Sequence, residues 1–200
     1  MRVVIADYGG GNLRSVSSAL VRAGCEPYVS TSDSDVREAP LAVIAGVGHL
    51  ESAARGLARH RLDEAIIERA ESQRPVLGIC VGMQVLCADS EEGGSGLGLL
   101  DAPVRRLRSR RVPHMGWNAL QVTRPSVLLD GLEDEDVYFA HSYAVDPAAT
   151  DVTVAQVEHD GIVVAAVERG LLAGVQFHPE RSGPAGARLL ANAVRWSRSA

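Results

Sequence analysis

Apolar positions in this chain change their period from one short segment to the next. "RVVIAD" (residues 2–7) is a continuous apolar run that stops at Tyr8 and three glycines, as a buried strand ending in a tight loop would. In "NLRSVSSALVRAG" the apolar residues Leu13, Val16, Leu20 and Val21 recur at three- and four-residue steps before Gly24, a helix with its stop signal. "EPYVS" and "LAVIAGVG" predict the next two strands. "LESAARGLARHRLDEAIIERAES" predicts one long amphipathic helix with Leu57, Leu62, Ile66 and Ile67 facing inward, and "PVLGI" a strand running into a turn at Cys80. From Val137 onward strands follow in quick succession: "VYFAHSYAV", "VTVAQVEH", an Asp160-Gly161 turn, "IVVAAVE" and "LLAGVQF". They read as an antiparallel meander, closed by a helix over residues 186–197.

Strands alternating with helices across short glycine-rich turns predict an α/β fold. Its central sheet is mostly parallel and flanked by helices on both faces, with an antiparallel extension in the C-terminal half and function at the carboxyl ends of strands. No repeat, linker or low-complexity tract divides the chain, so one domain, residues 1–200, is expected.

Composition narrows the chemistry. A formal charge of −5 argues against a nucleic-acid partner, whose footprint is a surplus of basic charge. No apolar run reaches the roughly 18 residues of a membrane span, and "MRVVIADYGG" turns polar too early for a signal peptide; a cytoplasmic protein with no membrane partner is expected. The cysteines Cys25, Cys80 and Cys87 are odd in number and lack a repeated spacing, which suits reduced thiols rather than a disulfide frame or a metal site. All 20 basic residues are arginine, which excludes a lysine Schiff base and a phosphate-cradling P-loop.

Gly78-Ile79-Cys80-Val81-Gly82 is a cysteine version of the G-x-S-x-G elbow, a strained strand-to-helix turn that exposes a nucleophile and admits only small neighbours. A helix starting at Val81 would aim unpaired N–H groups at the sulfur and offer the Val81 N–H to a developing oxyanion. A lone cysteine in an apolar context is more often a small buried hydrophobe, the reading given to Cys25 and Cys87; the glycines reverse the odds at Cys80 alone. Among six histidines, His60 and His159 read as solvated surface residues. His178 follows a strand directly in "FHPE", where Pro179 fixes the backbone so that Glu180 can approach the same imidazole. It is either the base for Cys80 or a strand-end residue capping a turn, and pairing with the elbow favours the base. Val47 and Gly48 in "AGVGHL" are candidate donors for the oxyanion, on the weak signal of a lone Gly-x-Gly.

With these residues in place the chain resembles the class I, or triad, glutamine amidotransferases, Cys80, His178 and Glu180 matching the triad in order and context. "DYGGGNLRSV", "GICVGMQVL", "SEEG", "VPHMGWN", "YFAHSY" and "GVQFHPERS" narrow the resemblance to the glutaminase subunits of imidazole glycerol phosphate synthases, the HisH family, over nearly the full chain. The resemblance implies a flavodoxin-like fold, no cofactor, and hydrolysis of L-glutamine to glutamate and ammonia through a thioester on Cys80. It further implies that Gly46, Gln84 and Glu92 hold the glutamine, with His141, Ser142 and Tyr143 lining the pocket. By spacing alone Gln84 is equally an exposed polar residue on the helix after Cys80.

The ammonia would pass to a (β/α)8-barrel cyclase, HisF, in a heterodimer. That partner makes imidazole glycerol phosphate and AICAR in histidine biosynthesis. Asn12, Trp117, Tyr138 and Arg181 match positions at or near that interface; Trp117 could also be a core aromatic, and the "RRLRSRR" run reads as a solvated strand face rather than a docking surface. Three departures stand out. Ala45 occupies the place of a usual proline, His49-Leu50 that of a small residue and phenylalanine, and Arg181 that of lysine. Proline restricts its own backbone and its neighbour's, so Ala45 should leave the oxyanion segment freer and give relatively high glutaminase activity without a partner. His49 reads as a solvent-exposed residue at a helix start. The competing readings are a paralogous triad amidotransferase feeding a different synthase, a catalytically inactive scaffold, and a general cysteine hydrolase.

Overall fold

The computed structural model describes residues 1–198. In chain order, β1 (Arg2–Ala6), α1 (Leu13–Arg22), β2 (Glu26–Ser30), α2 (Asp33–Glu38), β3 (Leu41–Gly46), α3 (Leu50–Arg59), α4 (Leu62–Glu71), β4 (Val76–Cys80) and α5 (Val81–Leu86) form the alternating half. The second half holds β5 (Val104–Arg106), β6 (His114–Ala119), β7 (Gln121–Val122), β8 (Asp136–His141), β9 (Tyr143–Val145), β10 (Thr153–Glu158), β11 (Ile162–Arg169), β12 (Leu172–Val175), a 3-10 turn (Pro179–Arg181) and α6 (Gly183–Trp196). Among the described residues no helix is long and apolar enough to cross a membrane.

The main sheet runs β2-β1-β3-β4-β12-β11-β10-β7. Pairing is parallel from β2 to β12 and antiparallel from β12 to β7, as the two halves of the sequence pattern require. The central strands β3, β4 and β12 are buried at every position, because a parallel sheet covered by helices on both faces hides both sides of each strand. Their register sets Gly46 opposite Cys80 and Val175 opposite Ile79. Three neighbouring strands therefore end level, and the segments that leave them start side by side.

Several expectations are corrected. The long helix is two helices, broken at Arg61, which adopts φ 57°. Leu57 and Leu62 would point about 140° apart on an unbroken helix. The break lets both reach full burial, while Ile67 stays half-buried. On α1 the inward stripe is Val16, Ala19 and Leu20, and Val21 is exposed. The short helix α2, capped by the Ser32 hydroxyl on the Asp35 N–H, had no counterpart in the sequence reading, and α6 begins three residues earlier than expected. The meander is only β10-β11-β12. "VYFAHSYAV" is cut at Ser142 into β8, which pairs with β6, and β9, which pairs with β5, two ribbons outside the main sheet.

Candidate active site

Cys80 ends β4 and caps α5 with φ 54° and ψ −112°, a region that side chains rarely occupy and that marks an elbow held under strain. Its neighbours show why the pattern needs glycine. A β-carbon at Gly82 would lie 1.8 Å from the Ile44 carbonyl oxygen, and one at Gly78 would lie 2.6 Å from the Gly82 carbonyl oxygen and from the Met83 nitrogen. The first N–H groups of a helix have no partner within it, so α5 presents free donors beside the sulfur. Cys25 and Cys87 are buried, and burial pushes both thiols up, Cys87 to about 12, as inert packing residues.

His178 leaves the end of β12, its N–H bonded to the Tyr138 carbonyl at 2.8 Å, and its Nδ1 meets Glu180 Oε1 at 2.9 Å. Both side chains are buried. Burial disfavours the charged ring, but the Cys80 sulfur and the Glu180 carboxylate together outweigh it and raise the His178 pKa to about 10. The ring can hold a proton against sulfur on one side while carboxylate fixes its tautomer on the other. Pro179 opens the 3-10 turn that bends Glu180 back to the ring.

Cys80 forms the floor of a cavity of about 350 Å³. Val47, Gly48, Val81, Gln84, Glu92, His141, Ser142 and Tyr143 line it, so the structure gathers these sequence candidates around the sulfur from four separate segments. Gly46 does not line the cavity; it pairs with Cys80 at the end of β3. Gln84 is buried rather than exposed, and its Nε2 donates to the Tyr143 carbonyl at 2.9 Å and to Gln176 Oε1 at 3.1 Å. Both oxygens of Glu92 are engaged: Oε2 accepts from the Leu50 N–H at 3.1 Å and Oε1 meets His49 Nδ1 at 2.8 Å. His49 is thus exposed at the start of α3, as expected, but tied to the cavity wall. The Ala45 carbonyl accepts from the buried Tyr8 hydroxyl at 3.1 Å, a restraint on the segment that the missing proline would otherwise free.

Trp117 is 56% exposed, which excludes a core role. Its ring meets Tyr138 edge-on at 5.9 Å, and the Arg181 guanidinium lies over the other partner of that pair, 4.2 Å from the Tyr138 centroid. Asn12, exposed at the start of α1, is not part of this stack. Exposed Met115 continues the apolar face toward the cavity mouth. Of the "RRLRSRR" run only residues 105–106 lie in a strand, β5; Arg105 pairs with Asp89 at 2.9 Å and Arg111 with Asp160 at 3.3 Å.

The sequence reading passed over Gln176 and His114. Gln176, fully buried, donates from Nε2 to Cys80 Sγ at 3.5 Å. His114 Nδ1 lies 3.1 Å from His141 Nε2, and His141 Nδ1 lies 2.9 Å from the Tyr143 carbonyl. Burial lowers the pKa of His114 to about 4 and of His141 to about 3, so both rings are neutral at neutral pH. His159, read as solvated, stacks on His114 at 4.1 Å with Nε2 2.7 Å from the Arg111 carbonyl. One signal was available: Gln176 precedes His178 by two residues, the spacing that turns side chains of an extended segment to one side.

Comparisons with known proteins bear on this geometry. The family model for "Glutamine amidotransferase class-I" matches residues 4–196. The chain is 46% identical over 200 residues to the imidazole glycerol phosphate synthase subunit HisH of Geobacillus kaustophilus, covering 95% of this chain and 94% of that one. It is 43% identical over 196 residues to the subunit of the same name from Mycolicibacterium paratuberculosis, with 95% of each chain covered. Among solved structures, a glutamine amidotransferase superposes with a TM-score of 0.79 at 18% identity, covering 98% of both chains. A chain of PurLQS from Thermotoga maritima superposes with a TM-score of 0.76 at 23% identity and the same coverage. These two likenesses concern the fold alone.

Proposed function

Because this chain belongs to the class-I glutamine amidotransferases, we propose that it is the glutaminase subunit of an imidazole glycerol phosphate synthase, working in the cytoplasm in a heterodimer with a barrel cyclase of the HisF type. The observation that carries the chemistry is His178, oriented by Glu180 at 2.9 Å and raised in pKa by the sulfur of a strained Cys80. The thiolate of Cys80 attacks the side-chain amide carbon of L-glutamine, and the carbonyl π pair moves onto oxygen, where the Val47, Gly48 and Val81 N–H groups receive it. The oxyanion then collapses, the C–N bond breaks, and the leaving nitrogen takes the proton of His178 and departs as ammonia. His178, now neutral, takes a proton from water as the water adds to the thioester; the C–S bond breaks, releasing glutamate and restoring the thiolate–imidazolium pair. Neither half-reaction calls for a cofactor.

In this reading Gln84, Glu92, His141, Ser142 and Tyr143 hold the glutamine, while Gly46, which lies off the cavity wall, pairs with Cys80 at the end of β3. Gln84 spends both amide protons inside the protein, so its free Oε1 is the atom that meets a substrate N–H. Asn12, Trp117, Tyr138 and Arg181 face the cyclase. Its substrate, a phosphorylated ribulosyl-aminoimidazole ribotide, takes up the ammonia.

The test uses the complex with its cyclase, supplied with glutamine or with ammonium. Cys80→Ala is expected to abolish glutamine-driven synthesis while ammonium-driven synthesis continues. Equal loss with both would assign Cys80 to structure, and an active glutaminase that serves no such cyclase would support the paralogue. For the subunit alone, Ala45 leads us to expect measurable glutamine hydrolysis without cyclase; silence until the cyclase and its ligand are added would show that the Tyr8 restraint on Ala45 prevails.

A further inference from the structure

We propose that Gln176 is a further catalytic residue: its side-chain N–H holds the Cys80 sulfur and favours its thiolate form, and a chain of hydrogen bonds running from the Tyr143 carbonyl through Gln84 keeps that N–H, rather than the amide oxygen, turned toward the sulfur.

The polarity of the chain follows from one atom that can only accept. The Tyr143 carbonyl receives Gln84 Nε2 at 2.9 Å, so the nitrogen of the Gln84 amide must face it. The second proton on that nitrogen then needs an acceptor, which is Gln176 Oε1 at 3.1 Å. With its oxygen committed to Gln84, the amide of Gln176 has only N–H left for the sulfur at 3.5 Å. A flipped Gln176 would set two donors against each other inside a fully buried site, a conflict the fold has no water-exposed way to relieve.

The same carbonyl orders the histidines. Because Tyr143 O accepts, His141 Nδ1 carries a proton and the neutral ring leaves Nε2 to accept; His114 Nδ1 therefore donates, and its own Nε2 faces Asn118 Nδ2 at 3.4 Å. Every member thus has one allowed orientation. A donor fixed in this way stabilises the anion more than the thiol, since the charged acceptor gains more from the same N–H. The remaining titratable groups around the sulfur are His178 backed by Glu180, Tyr8 beneath Gly46, and His141, Tyr143, Glu92 and the His49 paired with it, which share the cavity; α5 and the end of β3 contribute none.

The effect on turnover rests on the glutaminase reading, whereas the effect on the thiol does not, so the test begins with the thiol. Alkylation of Cys80 by iodoacetamide is followed by peptide mass from about pH 5 to about pH 10 in wild type, Gln176→Met and Gln176→Glu. Methionine keeps the shape and removes the amide; glutamate keeps an acceptor for Gln84 and loses the donor to sulfur. The midpoint of reactivity is expected to rise by about one pH unit in Gln176→Met and further in Gln176→Glu, where a carboxylate faces the sulfur. Glutaminase kcat at neutral pH should fall at least about tenfold with KM changed less than about threefold. An unchanged midpoint in a folded variant overturns the proposal, whatever happens to kcat. If the wild type, alone and with the cyclase, hydrolysed no glutamine, the glutaminase reading would fail while the alkylation result stood. Should neither variant fold, the wild type decides: a glutamine side-chain amide resonance must titrate with Cys80 and stop doing so in Cys80→Ser, and absence of any such resonance also overturns it.

Discussion

Gly82 separates the part of the site that local sequence dictates from the part that it does not. The 1.8 Å approach of a hypothetical β-carbon to the Ile44 carbonyl leaves no room for alanine. Gly82→Ala is expected to destabilise the protein by about 2–3 kcal/mol or to block folding, read as a fall in Tm and in soluble yield, because α5 would have to move off β3. That requirement is written in five consecutive residues, and so the elbow was readable; the same holds for "FHPE", where base and orienter are two residues apart. Gln176 was not readable as a partner of Cys80, because its meaning lies in contacts 96 and 92 residues away in the chain. By spacing alone Gln84 reads equally as a glutamine-holding residue and as an exposed polar one, and its bond to the Tyr143 carbonyl lies 59 residues away in the chain.

Arg69 shows what periodicity cannot see in a helix. It is 1% exposed, and its guanidinium donates to the carbonyls of Val36, Arg37, Ala39 and Pro75 at 2.6–3.0 Å, tying α4 to the end of α2 and to the entrances of β3 and β4. Burial lowers its pKa to about 10, which still leaves it charged. Arg69→Leu would remove the donors and strand buried carbonyls; a loss of about 2–4 kcal/mol in urea unfolding is expected, with little change in catalysis measured well below the transition. In the sequence Arg69 was one polar letter on an amphipathic helix. The break at Arg61 was equally hidden, since no glycine, proline or asparagine marks the left-handed residue. Strands were found more reliably than their partners. "VYFAHSYAV" has the right propensity throughout, but whether it extends the meander or forms two ribbons depends on β5 and β6, far upstream.

Across the whole molecule, the buried histidines set a limit on acid stability. His114 and His141 hold folded pKa values of about 4 and about 3 against an ordinary 6.5, so the unfolded chain binds protons that the folded one refuses. Their stabilising effect is complete above about pH 6.5 and is lost as pH falls, at about 1.4 kcal/mol per pH unit for each ring until its folded pKa is reached. His178 has the opposite sign: its contribution is complete below about pH 6.5 and fades as pH rises toward 10. Tm should therefore drop by several degrees between about pH 7 and pH 5, and His114→Phe should flatten that slope while lowering Tm at neutral pH. The architecture as a parallel sheet with an antiparallel flank followed from alternation and spacing, while the position of the β6–β8 ribbon at the cavity mouth did not. That ribbon writes two messages in alternate letters. His114 and Asn118 on β6 and His141 on β8 belong to the hydrogen-bonded interior, while Met115, Trp117 and Tyr138 lie between them on the side proposed to meet the cyclase. Adaptation to a new acceptor enzyme can rewrite one set letter by letter and leave the other untouched. A single-residue insertion or deletion in either strand would exchange the two sets, so this segment is free to drift in spelling but not in length.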